Sequence, residues 1–265
     1  MMPDPYRVEA NNLSRASENK IHDDAVARRF GFTGGLVPGV EVYAYACHPV
    51  VQHWGRAWLE RGQAECRFLK PVYDGRIAVA TAEPANGGLA LRVESEGVLC
   101  ATGEALLGDP VEPPVADDFP QASPPATRPP ASEATLAPGT ALGIVPFRLT
   151  EAMLAEYLCG VRETDQIYAR EGLAHPGLML RLCNRALMEN VVFGPWIHVG
   201  SKVRNFAAAR VGDELSVRAR VVANYERKGH RLVDLDVLAI ADGDRVLARV
   251  LHSAVWRPRQ VAEAG

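Results

Sequence analysis

Leu215, Val217, Ala219 and Val221 alternate with Ser216, Arg218 and Arg220, and Val233, Leu235 and Val237 alternate with Asp234 and Asp236. An Asp-Gly pair at 242–243 then leads into a third run over 245–256. Period-two alternation broken by tight-turn residues predicts half-buried antiparallel strands. The same succession occurs earlier, over 75–83, 89–96 and 98–107, with an Asn-Gly-Gly turn at 86–88. A different pattern precedes each set. Residues 40–61 and 177–192 are largely apolar, and each run follows a Pro-Gly pair, Pro38-Gly39 or Pro176-Gly177. Proline blocks a helix upstream, so a helix buried on most sides is expected to start at each pair. Pro49 is expected to kink the first of them.

The two sets are copies. Gly39 and Gly177 lie 138 residues apart, as do Phe68 and Phe206, and Gly75 and Gly212 lie 137 apart. Upstream, Asn-Lys-Ile-His at 19–22 faces Asp-Gln-Ile-Tyr at 165–168. This is an internal duplication. Between the copies, nine of the 19 prolines crowd into residues 110–138. That density predicts a semi-rigid linker draped over the surface. The expected organisation is therefore a first domain over 1–109, a linker over 110–139 and a second domain over 140–258. Each domain is an α+β unit, with an antiparallel sheet wrapped around one long helix.

Composition narrows the function classes. A net charge of -3 gives no reason to expect nucleic acid or an anionic membrane as partner. No apolar run reaches the roughly 20 residues of a membrane span, and the first residues have no signal-peptide core. A cytoplasmic protein is expected. Five cysteines without a CxxC spacing read as buried thiols in a reducing compartment, and no ligand spacing suggests a metal. Nucleotide-binding and serine-hydrolase motifs are absent.

The chemistry-bearing stretch is Ser17 to Gly39. His22 titrates near neutrality and is the candidate base. Asp23 and Asp24 precede a short helical pattern and read as its cap and a charge meeting its dipole. Gly34-Gly35 reads as a turn. Glu41, two residues into the apolar helix, is a carboxylate that needs a partner if buried. Tyr43, Tyr45 and Trp54 read as core. Arg67, Lys70 and Arg204 on later strands are candidate phosphate contacts.

Asn19, Ile21, His22, Asp24, Ala27 and Gly39 stand where the MaoC-like (R)-specific enoyl-CoA hydratase family carries its signature, and the strand sequence after the second helix is similar as well. The chain thus resembles that family over about 1–108 and 140–258, and the tandem resembles a double hotdog. The resemblance implies hydration of a 2-enoyl thioester, or dehydration of a 3-hydroxyacyl thioester, on coenzyme A or acyl carrier protein, with no other cofactor. It implies His22 as base or acid, with Glu18, or a water held by Ser17 and Asn19, beside it. Ser17 itself occupies the place of the family aspartate. The Gly39 amide would face the thioester oxygen, where a helix N-terminus favours developing negative charge. In the second copy the histidine position is Tyr168, a candidate hydroxyl donor, and the aspartate position is Glu163. A homodimer is expected from the fold. Two other readings remain open: a non-catalytic acyl-thioester binder, and a thioesterase using Glu41.

Overall fold

The computed structural model describes residues 2–259. The first copy runs β1 (Tyr6–Glu9), α1 (Asp24–Arg29), α2 (Gly39–Trp54), α3 (Arg56–Arg61), β2 (Gly62–Phe68), β3 (Ile77–Ala85), β4 (Gly88–Ser95) and β5 (Val98–Leu107). The second runs β6 (Ala141–Leu142), β7 (Phe147–Arg148), α4 (Glu151–Gly160), α5 (Ile167–Glu171), α6 (Pro176–Met188), β8 (Ile197–Asn205), β9 (Glu214–Arg227), β10 (His230–Ala241) and β11 (Arg245–Arg257). The helix expected over 40–61 is two helices. Gly55 takes a positive φ of 60° that few other residues adopt, and it ends α2 before α3 begins. Pro49 sits within the helical span of α2. The helix expected over 177–192 stops at Met188. Just beyond it, the Asn190 side chain donates back to Ala186 O (2.8 Å) and to Gly143 O (2.6 Å).

All the strands belong to one antiparallel sheet ordered β1-β3-β4-β5-β2-β8-β11-β10-β9-β6, with β7 also on β9. The order is the same read from either edge. Its centre is the β2–β8 pair, where Gln63 faces Arg204 and Arg67 faces Gly200. Even isolated bridges repeat: Leu36 with Tyr73 in the first copy, Leu173 with Arg210 in the second. The architecture is the tandem hotdog expected, α+β, with α2 and α6 against the sheet and packed on each other. Gly177 makes their contact possible. A Cβ there would lie 2.7 Å from Ala44 Cβ and 2.2 Å from the Tyr157 hydroxyl. One apolar cluster runs through both copies and includes Tyr43, Tyr45, Leu180 and Leu235.

The Pro-rich segment is anchored more firmly than a surface drape. Leu136 is fully buried, and Phe119 and Ala116 cover Leu238, Ile240 and Val246. Arg220 and Arg249 stack over the Phe119 ring at 4.7 and 5.6 Å. This cover explains why residues 237–241 are continuously apolar rather than alternating, since a strand buried on both faces loses its polar positions. Four cysteines are buried as expected; Cys159 on α4 is exposed. Among the described residues no helix is long and apolar enough to cross a membrane.

Candidate active site

The loop before α1 is fastened residue by residue. Asn19 caps the 3-10 turn Lys20–His22, its Oδ1 accepting from Ile21 N (3.4 Å) and from Trp196 N (3.2 Å). Its Nδ2 donates to Trp196 O (2.9 Å) and lies 3.3 Å from His22 Nε2. Asn19 therefore clamps the loop of the first copy to the segment entering β8 of the second. His22 Nδ1 donates to Leu36 O (2.7 Å), which leaves the lone pair on Nε2. Asn12 Nδ2 donates to His22 O (2.8 Å). Gly35 passes so close that a Cβ would sit 2.3 Å from that same oxygen. Asp23 caps α1, accepting from Ala25 N and Val26 N at 3.0 Å. Asp24 does something the helix-dipole reading missed. Its Oδ1 accepts from Gly35 N (2.7 Å) and closes the glycine turn over His22.

His22, Asn19 and Ser17 line one side of a cavity of about 210 Å³. Leu178, Arg181, Leu182, Asn184, Arg185 and Met188 of α6 line another, and Phe147, Met153, Trp196 and Val40 complete it. One chain therefore builds the cavity from both of its copies. Burial holds His22 down to about 4, against a raising contribution from the Leu36 carbonyl and a further lowering one from Arg181. At neutral pH the ring is uncharged, and its acceptor nitrogen Nε2 is met by a long contact from the Asn19 amide at 3.3 Å.

Glu41 does not reach this cavity directly. Its side chain is fully buried, and Oε1 accepts from Arg181 Nε at 2.5 Å. Burial raises the Glu41 carboxyl above its usual range, and Arg181 pulls it part of the way back. Arg181 in turn lines the cavity. Glu41 Oε2 and Arg181 Nη2 are both buried without a partner. Removing the cation strands a buried carboxylate, which then takes a proton. Arg181→Leu is expected to cost about 2–3 kcal/mol in urea unfolding at pH 7, and Glu41→Leu/Arg181→Leu appreciably less. Equal losses in the two variants would show that the pair carries no such coupling.

The other candidates fall elsewhere. Glu18 is exposed and held by both terminal nitrogens of Arg128 (2.9 and 3.0 Å), so its partner is the linker and not His22. Ser17 lines the cavity, and its hydroxyl donates to Asn19 O (3.3 Å). The Cα of Gly39 faces Phe68 and His198: a Cβ there would be 3.0 Å from each. Arg67 pairs with Glu65 on the surface, and neither it, Lys70 nor Arg204 lines the cavity. A larger hollow of about 500 Å³, lined among others by Arg61, Arg210 and Arg245, contains no histidine.

The matching place in the second copy is filled. Tyr168 is fully buried, its hydroxyl without a partner. Glu163 accepts from His48 Nδ1 on α2 (2.6 Å), from His175 Nε2 (3.1 Å), and from Thr164 N and Asp165 N (2.7 Å each). Burial alone would raise this carboxyl, but the hydrogen bonds from His175 and His48 outweigh it and hold it far below the usual range. His175 Nδ1 also accepts from Gly177 N (3.1 Å), and His48 stacks on Tyr6. Sequence reasoning did not connect these histidines to Glu163. The available signal was a histidine in the middle of an apolar helix and another directly before the second Pro-Gly.

No protein-family model matches the sequence, and no curated protein does. Solved structures match its fold. A protein of Chloroflexus aurantiacus described as a MaoC domain dehydratase is 12% identical, with 97% of this chain and 94% of that one covered at a TM-score of 0.58. A Mycobacterium tuberculosis protein described as a double hotdog is 15% identical, with 96% of each chain covered and a TM-score of 0.59. A protein of Thermobifida fusca described as a thioesterase II is 16% identical, covering 96% of this chain and 92% of that one at 0.52. The chain is a double hotdog in fold, similar to MaoC-like dehydratases, and the fold is shared by proteins named for different reactions.

Proposed function

We propose that this chain is an acyl-thioester hydratase or dehydratase with one active site, built between the His22 loop and α6. The observation that carries the reading is the His22 ring on the cavity wall: Nδ1–H is committed to Leu36 O, and Nε2 is the acceptor nitrogen, met by a long contact from Asn19 Nδ2 at 3.3 Å. In hydration Nε2 takes a proton from water and the water oxygen bonds to the β-carbon of a 2-enoyl thioester. The electron pair of the double bond passes toward the α-carbon and carbonyl oxygen, and the proton returns to the α-carbon. Dehydration of the 3-hydroxyacyl thioester is the reverse. A general base contributes about 100- to 10,000-fold to such a step. A partly apolar wall, from Val40, Phe147, Met153, Leu178, Leu182 and Trp196, and a volume of about 210 Å³ suit a short acyl group. The dehydratase names among the structural neighbours support the same reaction class. A thioesterase built on Glu41 is less well supported, because its carboxylate is sealed behind Arg181.

Purified protein is expected to consume crotonyl-CoA, read as loss of the enoyl absorbance. His22→Ala should lower kcat/KM about 100-fold or more while the circular dichroism spectrum is kept. Equal rates for wild type and His22→Ala across enoyl-CoA substrates of increasing chain length would reject hydratase chemistry.

A further inference from the structure

Asn184 of α6 lines the cavity with His22, and its outer side is held by a chain of buried polar groups. Its Oδ1 accepts from His252 Nε2 (3.0 Å). His252 Nδ1 is then an acceptor, met by the Ser201 hydroxyl (3.0 Å). Ser201 Oγ accepts from His198 Nε2 (2.9 Å), and the two imidazoles stack at 4.1 Å. His198, Ser201 and His252 are all 5% exposed or less. Burial keeps both rings neutral, so each carries a single N–H, and the chain of donors and acceptors has one consistent direction.

That direction decides what Asn184 shows to the cavity. Its carbonyl is engaged by His252, so its Nδ2 amide faces the other way, as a fixed donor. A buried polar chain of this kind is costly relative to an apolar replacement, and His198 Nδ1 at its far end has no partner at all. Asn184 is also the one uncharged side-chain amide that α6 brings to the cavity.

We propose that Asn184 Nδ2 donates to the thioester carbonyl oxygen of the bound acyl group, and that His252 and Ser201 are positioning residues that keep the amide from turning over. This rests on the reading that the cavity takes an acyl thioester. As the π electrons move toward the carbonyl, the oxygen gains negative charge, and a donor already aimed there stabilises it without reorganisation. A rotated amide would present its own oxygen instead.

Butyryl-CoA labelled with carbon-13 at the carbonyl is not hydrated and serves as probe, read by isotope-edited infrared difference spectra. On wild type the carbonyl stretch should fall below its free value. On Asn184→Ala that shift should be lost, and kcat/KM for crotonyl-CoA should drop about 100- to 1,000-fold, mostly in kcat. His252→Phe, which keeps a ring but removes the donor, should lose part of the shift. Should Asn184→Ala not fold, the isosteric Asn184→Asp, an acceptor in place of a donor, carries the same expectation. A shift retained in the Asn184 variant with kcat/KM within threefold of wild type overturns the proposal and leaves the hydratase reading standing. No turnover by wild type, with a shift that Asn184→Ala removes, rejects the reaction and upholds the carbonyl contact. Wild type that neither binds the probe nor turns over crotonyl-CoA overturns both.

Discussion

Acidification from pH 7 to pH 5 is expected to remove about 4 kcal/mol of folding stability, and to pH 4 about 6 kcal/mol, from His22 and His198 together, with His252 acting in the same direction. Burial lowers His22 from 6.5 to about 4 and His198 to about 3, and holds His252 well below 6.5. Each tenfold change in proton affinity is worth about 1.4 kcal/mol. The sign follows from which state binds more protons. As pH falls below 6.5 the unfolded chain protonates these rings while the folded chain resists protonation down to its lowered values, so stability is present above 6.5 and lost as pH falls toward the folded values. The slope near pH 5 should approach two protons from His22 and His198, about 3 kcal/mol per pH unit, and His252 steepens it further. Glu163, held below its usual range, adds to the loss below about pH 4.5. Glu41, raised by burial, works in the opposite sense and offsets a fraction of it. Most domains have about 5–15 kcal/mol in total, so unfolding near pH 4–5 is the expected result. Urea midpoints at pH 7, 6, 5.5, 5 and 4.5 check this. A slope below one proton between pH 5.5 and 4.5 would mean that the rings are not held neutral.

Glu163→Ala is expected to cost about 4 kcal/mol and to lower Tm by about 10 °C. The carboxylate is 2% exposed and accepts four hydrogen bonds, two from histidines that are themselves 0–3% exposed. Without it, His48 Nδ1 and His175 Nε2 lose their acceptor inside the core, and the turn at Thr164 and Asp165 loses its anchor. Glu163→Gln tests the chemistry separately from the volume, because its amide sets donors against donors and should recover little. Differential scanning calorimetry of the two variants decides this, and a Tm within 2 °C of wild type in both would remove Glu163 from the account of stability.

The symmetric half of the structure could be read from residues because it rests on local rules. Alternation at 215–221 and 233–237 sets strands, Pro38 and Pro176 set helix starts, and the constant spacing of Gly39, Phe68 and their copies announces the tandem. Gly55 was hidden because a lone glycine in an apolar run has the same appearance whether it is packed inside a helix or breaks one. The linker read as exposed because proline density speaks for the backbone and not for what Phe119 and Leu136 bury. At the site, Asn19, His22 and Ser17 meet at one cavity as adjacent loop residues should. Arg181, Asn184 and the Glu163 cluster could not be seen, since each depends on a contact between residues 68 to 140 positions apart. The contact crosses the two copies for Arg181 and Glu163 and joins α6 to β11 of the second copy for Asn184, and such pairings leave no periodic trace.

The filled interior of the second copy has a stoichiometric meaning. Two identical copies would present two equivalent cavities, one for each loop and facing helix. Here Tyr168, Glu163, His48 and His175 occupy the second position themselves. On the proposed reading each 28.7 kDa chain would bind one acyl equivalent at the His22 cavity, with the duplicated half as its internal, permanently bound partner.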